Sequence, residues 1–103
     1  MKVRIKQYMY DIVEEGDGDN VYTDKDGTWR IGLCDVVYQI IYIHKDLSYE
    51  LKKNTLAHEL CHAFLFVHGL NGADFGEEVL CNFVAEYHER ITEIVDSYFC
   101  KER

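Results

Sequence analysis

The 103-residue sequence has no proline, so nothing in it interrupts a helix by removing a backbone N–H donor. It also lacks any Cys-x-x-Cys pair. Its four cysteines, Cys34, Cys61, Cys81 and Cys100, stand far apart, which fits reduced, buried thiols in a cytosolic protein better than a disulfide framework. Long apolar runs are missing too. The longest covers residues 63–67, far short of the ~20 residues needed to cross a bilayer. The opening Met1-Lys2-Val3-Arg4-Ile5-Lys6 alternates charged and apolar residues, unlike the continuous apolar stretch of a secretory signal. A soluble, cytoplasmic protein with no membrane partner is expected. Basic residues are few: 11 Lys and Arg stand against 19 Asp and Glu, for a net charge of −8. They are scattered, so no cluster is available to neutralise phosphates, and nucleic acid is excluded as a partner. Low-complexity tracts are absent and 48% of the residues are hydrophobic, the composition of a folded chain. At this length the sequence makes one domain, residues 1–103, which buries roughly 65% of the surface its unfolded chain exposes.

What is present divides into a β-rich first half and a helical second half. Alternation from Val3 through Ile5, Tyr8 and Tyr10 predicts a strand running to about Val13. The acidic stretch Glu14-Glu15-Gly16-Asp17-Gly18-Asp19-Asn20 breaks it as a solvated turn, because its carboxylates lack the spacing of a calcium loop. Val21-Tyr22-Thr23 and Thr28-Trp29-Arg30-Ile31 flank Asp24-Lys25-Asp26-Gly27, whose Asp-Gly step predicts a hairpin. The β-branched and aromatic run Tyr38 to His44 predicts another strand. Helical periodicity follows from Ser48 to about His68, with Gly69 placed for a left-handed cap. After a loop over residues 71–76, a last helix from Glu77 to about Cys100 carries Leu80, Phe83, Val84, Tyr87, Ile91, Ile94, Val95 and Tyr98 as one buried stripe. The expected fold is α+β: a small antiparallel sheet of three to four strands against two helices, the second long.

Residues 58–62 read His-Glu-Leu-Cys-His. At ~100° per residue, two histidines four apart stand on one face one turn from each other, so both imidazoles reach a single ion. Glu59 can reach a water on that ion, the arrangement of a zinc site with a carboxylate general base. The competing reading is an internal histidine pair satisfied by hydrogen bonds. Leu56, Leu60, Ala63, Phe64 and Val67 weigh against it, because they gather on the opposite side of the helix and leave the histidines facing a cleft.

A catalytic zinc takes three protein ligands and keeps a fourth position for water. Glu78, at the start of the last helix, is favoured as the third. Asn82 one turn later is placed to orient it. Glu77 is adjacent but rotated by ~100°. His68 lies six residues after His62, but the helix continues through Leu65-Phe66-Val67 and turns a residue six positions on by ~240°. Cys34 is a further candidate, since peptide deformylase-type sites join two such histidines to an upstream cysteine. Glu78, Asn82, Glu86 and Glu89 can also be read simply as a solvated helix face.

Residues 55–65, Thr-Leu-Ala-His-Glu-Leu-Cys-His-Ala-Phe-Leu, followed by residues 77–85, Glu-Glu-Val-Leu-Cys-Asn-Phe-Val-Ala, resemble the ImmA/IrrE-like minimal gluzincin metallopeptidases of bacteria and their phages. With the preceding strand pair over residues 32–44, the resemblance covers roughly residues 28–88. It implies a Zn2+ cofactor held by His58, His62 and Glu78, with Glu59 as base. It also implies an intracellular endopeptidase acting on a peptide or protein substrate, such as a regulatory protein of the repressor kind. An extended substrate is expected to pair with an edge strand near Tyr38 to His44. Two alternatives share the motif: a zinc-bearing interaction domain without turnover, and a zinc hydrolase of a non-peptide amide.

Overall fold

Alternation in the first fifteen residues persists in space, but folded back on itself. The computed structural model describes residues 1–16, 31–70 and 76–100. Val3 and Ile5 turn into the core from β1 (Lys2–Ile5), and Tyr10 and Ile12 do so from β2 (Tyr8–Glu15). The single strand expected here is therefore a hairpin, with Val3 opposite Tyr10. It reverses at Lys6 and Gln7, Lys6 taking a left-handed φ of 58°. Neither residue is one of the glycines, asparagines or aspartates that usually announce such a turn, so the alternation runs through it unmarked. The strand also continues through Glu15, two residues past its expected end.

The sheet is completed by β3 (Gly32–Asp35) and β4 (Ile40–His44), in the order β1-β2-β4-β3. The pairs β1 with β2 and β3 with β4 are antiparallel, as expected, whereas β2 and β4 run parallel, with Ile12 beside Ile41. The sheet is mixed because β3 takes the outer edge and β4 turns back between it and β2. Ile41 and Ile43 of β4 are fully buried, while Ile40 and Tyr42 on its other face are half-buried. The edge expected near Tyr38 to His44 is accordingly not an edge. Tyr38 and Gln39 form part of the β3–β4 turn, where Asp35 Oδ1 accepts from the N–H groups of Val37 and Tyr38 at 3.0 Å each. Among the described residues, the outer strands of the sheet are β1 and β3. The acidic residues 17–20 and the hairpin expected around Asp26-Gly27 lie outside the described residues.

Both helices fall where periodicity places them. In α1 (Tyr49–Val67), Ser48 caps the amino end by accepting from Leu51 N–H at 3.3 Å. The carboxyl end closes with Leu70 N–H donating to Leu65 O at 2.8 Å and Gly69 N–H to Phe66 O at 3.0 Å, with Gly69 at φ +72°. That is the paired bonding that satisfies the last carbonyls of a helix. Leu56, Leu60, Ala63 and Phe64 bury against the sheet, while Phe83, Ile94, Val95 and Phe99 of α2 (Glu77–Cys100) complete the core.

The two helices lie antiparallel, with Tyr49 against Phe99 at 5.5 Å and Phe64 against Tyr87 at 5.7 Å between ring centroids. Glu14 ties both to the sheet: Lys52 Nζ is 2.7 Å from Oε1, and Tyr98 OH donates to Oε2 at 2.7 Å. Since α1 stops at Val67, the first two turns of α2 project past its end. Leu80 and Val84, expected within the buried stripe, are therefore 52% and 51% exposed. The four cysteines are free, as expected. Their burial is only partial: Cys34 and Cys61 are half-buried, whereas Cys81 in the projecting turns and Cys100 at the last residue of α2 are exposed.

Candidate metal centre

Helical spacing brings His58 and His62 together as the sequence requires. Their Nε2 atoms are 3.2 Å apart and their rings are inclined at 74°. Two nitrogens at ~2.0–2.1 Å from one tetrahedral ion would be separated by about 3.3–3.4 Å, so the pair already has close to the bite of such an ion. Both rings are exposed. This removes the reading as an internal pair, which needs burial.

Glu59, unlike the two histidines, is buried, 8% exposed. It lines the same cleft as the two histidines, a hollow of ≈780 Å³ between α1 and β3. Ile31, Leu33, Val36 and Phe66 give the cleft apolar walls, and Asn54, one turn before His58, adds an amide. The volume lies within the range of pockets that take a substrate side chain or small ligand. At the cleft floor, a Cβ placed on Gly32 would stand 2.6 Å from Thr55 Cγ2 and 3.0 Å from Glu59 Oε2. Only a residue without a side chain lets β3 approach the helix at the height of Glu59. Sequence reasoning passed over Gly32, although a glycine inside a strand is itself a sign of close backbone approach. Thr55 beside it is buried, and its hydroxyl has no hydrogen-bond partner among the described residues.

Replacing Gly32 by Ala is expected to cost about 1–3 kcal/mol of stability, read by urea denaturation, because the methyl group overpacks a site bounded by a β-branched side chain. The same change pushes on the Glu59 carboxylate.

The other candidates lie elsewhere. Glu77 and Glu78 are exposed in the projecting first turn of α2. Asn82 lines a second hollow, of ≈280 Å³, with Leu70, Val79, Phe83, Glu86 and Tyr87. Among the described residues, no three His, Cys, Asp or Glu side chains converge as a ligand set. His68 caps α1 and stacks on Tyr87 at 4.5 Å, with Tyr87 OH 3.3 Å from its Nδ1. Burial, followed by the charge of Lys6, lowers its pKa against the opposing pull of Glu86, so the neutral ring is favoured. That engagement keeps His68 and Tyr87 at the α1–α2 contact. Cys34 does line the histidine cleft, but burial, then the carboxylates of Glu59 and Asp35, push its thiol up to about 12.

The family described as the IrrE N-terminal-like domain, a peptidase family, matches the chain over residues 8–99. No curated protein and no solved structure matches it.

Proposed function

This chain belongs to the IrrE N-terminal-like family of metallopeptidases, and from that membership we propose that it is a zinc-dependent metalloendopeptidase. The observation that carries the reading is the 3.2 Å separation of His58 and His62 Nε2 in a cleft that also holds Glu59. When bound, zinc supplies the Lewis acidity that makes water a nucleophile near neutral pH and polarises the scissile carbonyl.

The chain's own residues do the rest. His58 and His62 would hold the ion through their Nε2 atoms. Glu59 accepts the proton of the attacking water and hands it to the leaving amine, so no covalent intermediate with the protein is needed. The apolar walls receive substrate side chains, while the backbone of β3, an outer strand among the described residues, can pair with an extended polypeptide. Exposure of both histidines supports a polypeptide substrate, since a small amide calls for a more enclosed cavity. None of the described helices is long and apolar enough to cross a membrane.

Glu78 is proposed as the third ligand and Asn82 as the residue that orients it, which requires the projecting end of α2 to approach the cleft. Elemental analysis of Glu78→Ala, Glu77→Ala and His68→Ala after zinc loading tests the assignment. Loss of zinc is expected in Glu78→Ala alone, and full retention there transfers the role to whichever of the other two loses it. The activity is tested by incubating the zinc-loaded protein with reduced casein and reading new termini by mass spectrometry. Cleavage that stops on chelation and returns with zinc is expected, and an intact casein would overturn the endopeptidase reading.

A further inference from the structure

One polar atom at the cleft floor is out of place in a packed interior. Thr55 is 4% exposed, and its hydroxyl has no hydrogen-bond partner among the described residues. A threonine inside a helix ordinarily turns its hydroxyl onto the carbonyl three or four residues back. Thr55 makes no such bond, although residues 51 and 52 of the same helix supply both carbonyls. Valine has nearly the same shape and would fill the site without burying a polar group, so packing does not account for the hydroxyl. Orphaned atoms of this kind are rare in folded proteins, and a role in the chemistry of a site is one of the few reasons for them.

The neighbour that the hydroxyl can serve is Glu59. The two residues are one turn apart on α1, and a helical side chain leans back over the turn before it, so Glu59 extends above Thr55. Gly32 shows how close they come: a Cβ built there would lie 2.6 Å from Thr55 Cγ2 and 3.0 Å from Glu59 Oε2. The methyl of Thr55 and one carboxylate oxygen therefore flank the same point. Threonine populates two χ1 wells in helices, and a turn of ~120° about χ1 puts the hydroxyl in the place of the methyl. We propose that Thr55 is a positioning residue for Glu59, its hydroxyl donating to Oε2 during turnover so that Oε1 takes the proton of the attacking water. The hydroxyl keeps its own proton throughout. The proton that moves is the water's, first to Oε1 and then to the leaving amine. A carboxylate fixed at one oxygen presents the other in a single orientation, as a general base must. The proposal rests on the peptidase reading of the cleft.

Two variants test it. Thr55→Val keeps the shape and removes the hydroxyl, whereas Thr55→Ser keeps the hydroxyl and removes the methyl. The substrate is a fluorogenic peptide spanning a bond that the zinc-loaded wild type cuts in reduced casein. Thr55→Val is expected to lower kcat at least about tenfold, the factor for losing a hydrogen bond to a charged group, with KM changed by less than about twofold. Thr55→Ser should hold kcat within about threefold of wild type. A packing role predicts the reverse order, because only the serine variant leaves a void. Two readouts are independent of turnover. Zinc content should be equal in all three proteins, and the urea midpoint of metal-free Thr55→Val should lie above that of wild type, since a methyl replaces a buried hydroxyl without a partner. Unchanged kcat in Thr55→Val, a loss in Thr55→Ser as large as in Thr55→Val, zinc lost from either variant, or a lower midpoint in Thr55→Val would each overturn the proposal and leave the peptidase reading in place. A zinc-loaded wild type that cuts no casein would overturn both.

Discussion

Glu59→Gln is expected to lower the rate of polypeptide cleavage by about 10²–10⁴-fold while zinc content stays at the wild-type level. The factor is what a positioned general base typically contributes. The carboxamide keeps the shape of the side chain and loses only the ability to take a proton, so the fit against Gly32 and Thr55 at the cleft floor survives. Paired measurements decide the matter: turnover of reduced casein, and metal content of the same sample. Full cleavage by the variant would remove Glu59 from the reaction. Joint loss of zinc and activity would instead make it a structural support of the site.

The second large effect is on metal retention. His58→Ala and His62→Ala should each weaken zinc binding by at least about 100-fold, the upper end of what is lost when only a supporting partner of a metal ligand is removed. Both rings are exposed, so the metal-free fold should change by no more than about 0.5 kcal/mol. His44 offers the contrast within the same chain. It is buried, and its Nδ1 accepts from Asp46 N–H at 3.2 Å, so His44→Ala should cost about 1–3 kcal/mol of stability and leave zinc affinity intact. Competition with a chromogenic chelator reads affinity, and urea denaturation reads stability. Equal zinc affinity in wild type and His62→Ala would break the assignment of the pair.

The helical half of the molecule is the more legible from sequence, and its ends show why. Ser48 and Gly69 are local devices, each acting within a turn of its own position, so the limits of α1 could be read without knowing what surrounds it. The same locality makes His58, Glu59 and His62 readable, since a helix fixes their mutual placement. The sheet is different. Whether β4 lies beside β2 in parallel, or at an edge, depends on where β3 goes, and nothing within residues 40–44 encodes that. The turn at Lys6 and Gln7 carries no turn chemistry and is imposed by the pairing of its flanking strands. Burial along α2 fails for a related reason. Periodicity identifies the face that can be buried, but only the length of α1 decides how far along it a neighbour exists, and Leu80 and Val84 fall beyond that point. Gly32 could have been found from the glycine at the head of its strand, although the groups it admits, Thr55 and Glu59, are visible only in three dimensions.

The fastening of α2 has a mechanical consequence. Tyr98 anchors it to Glu14, and Tyr87 rests on Phe64 and His68, so the helix behaves as a beam clamped over its later half, with a cantilever before Tyr87 in which Phe83 alone is buried. From Tyr87 back to Glu78 that cantilever is about 14 Å long, and a tilt of about 20° at the clamp carries its tip through about 5 Å. Small adjustments of the aromatic bearing at Tyr87 are thus magnified at the carboxylate end, which makes ring packing far from the histidines a determinant of how readily that end can reach them.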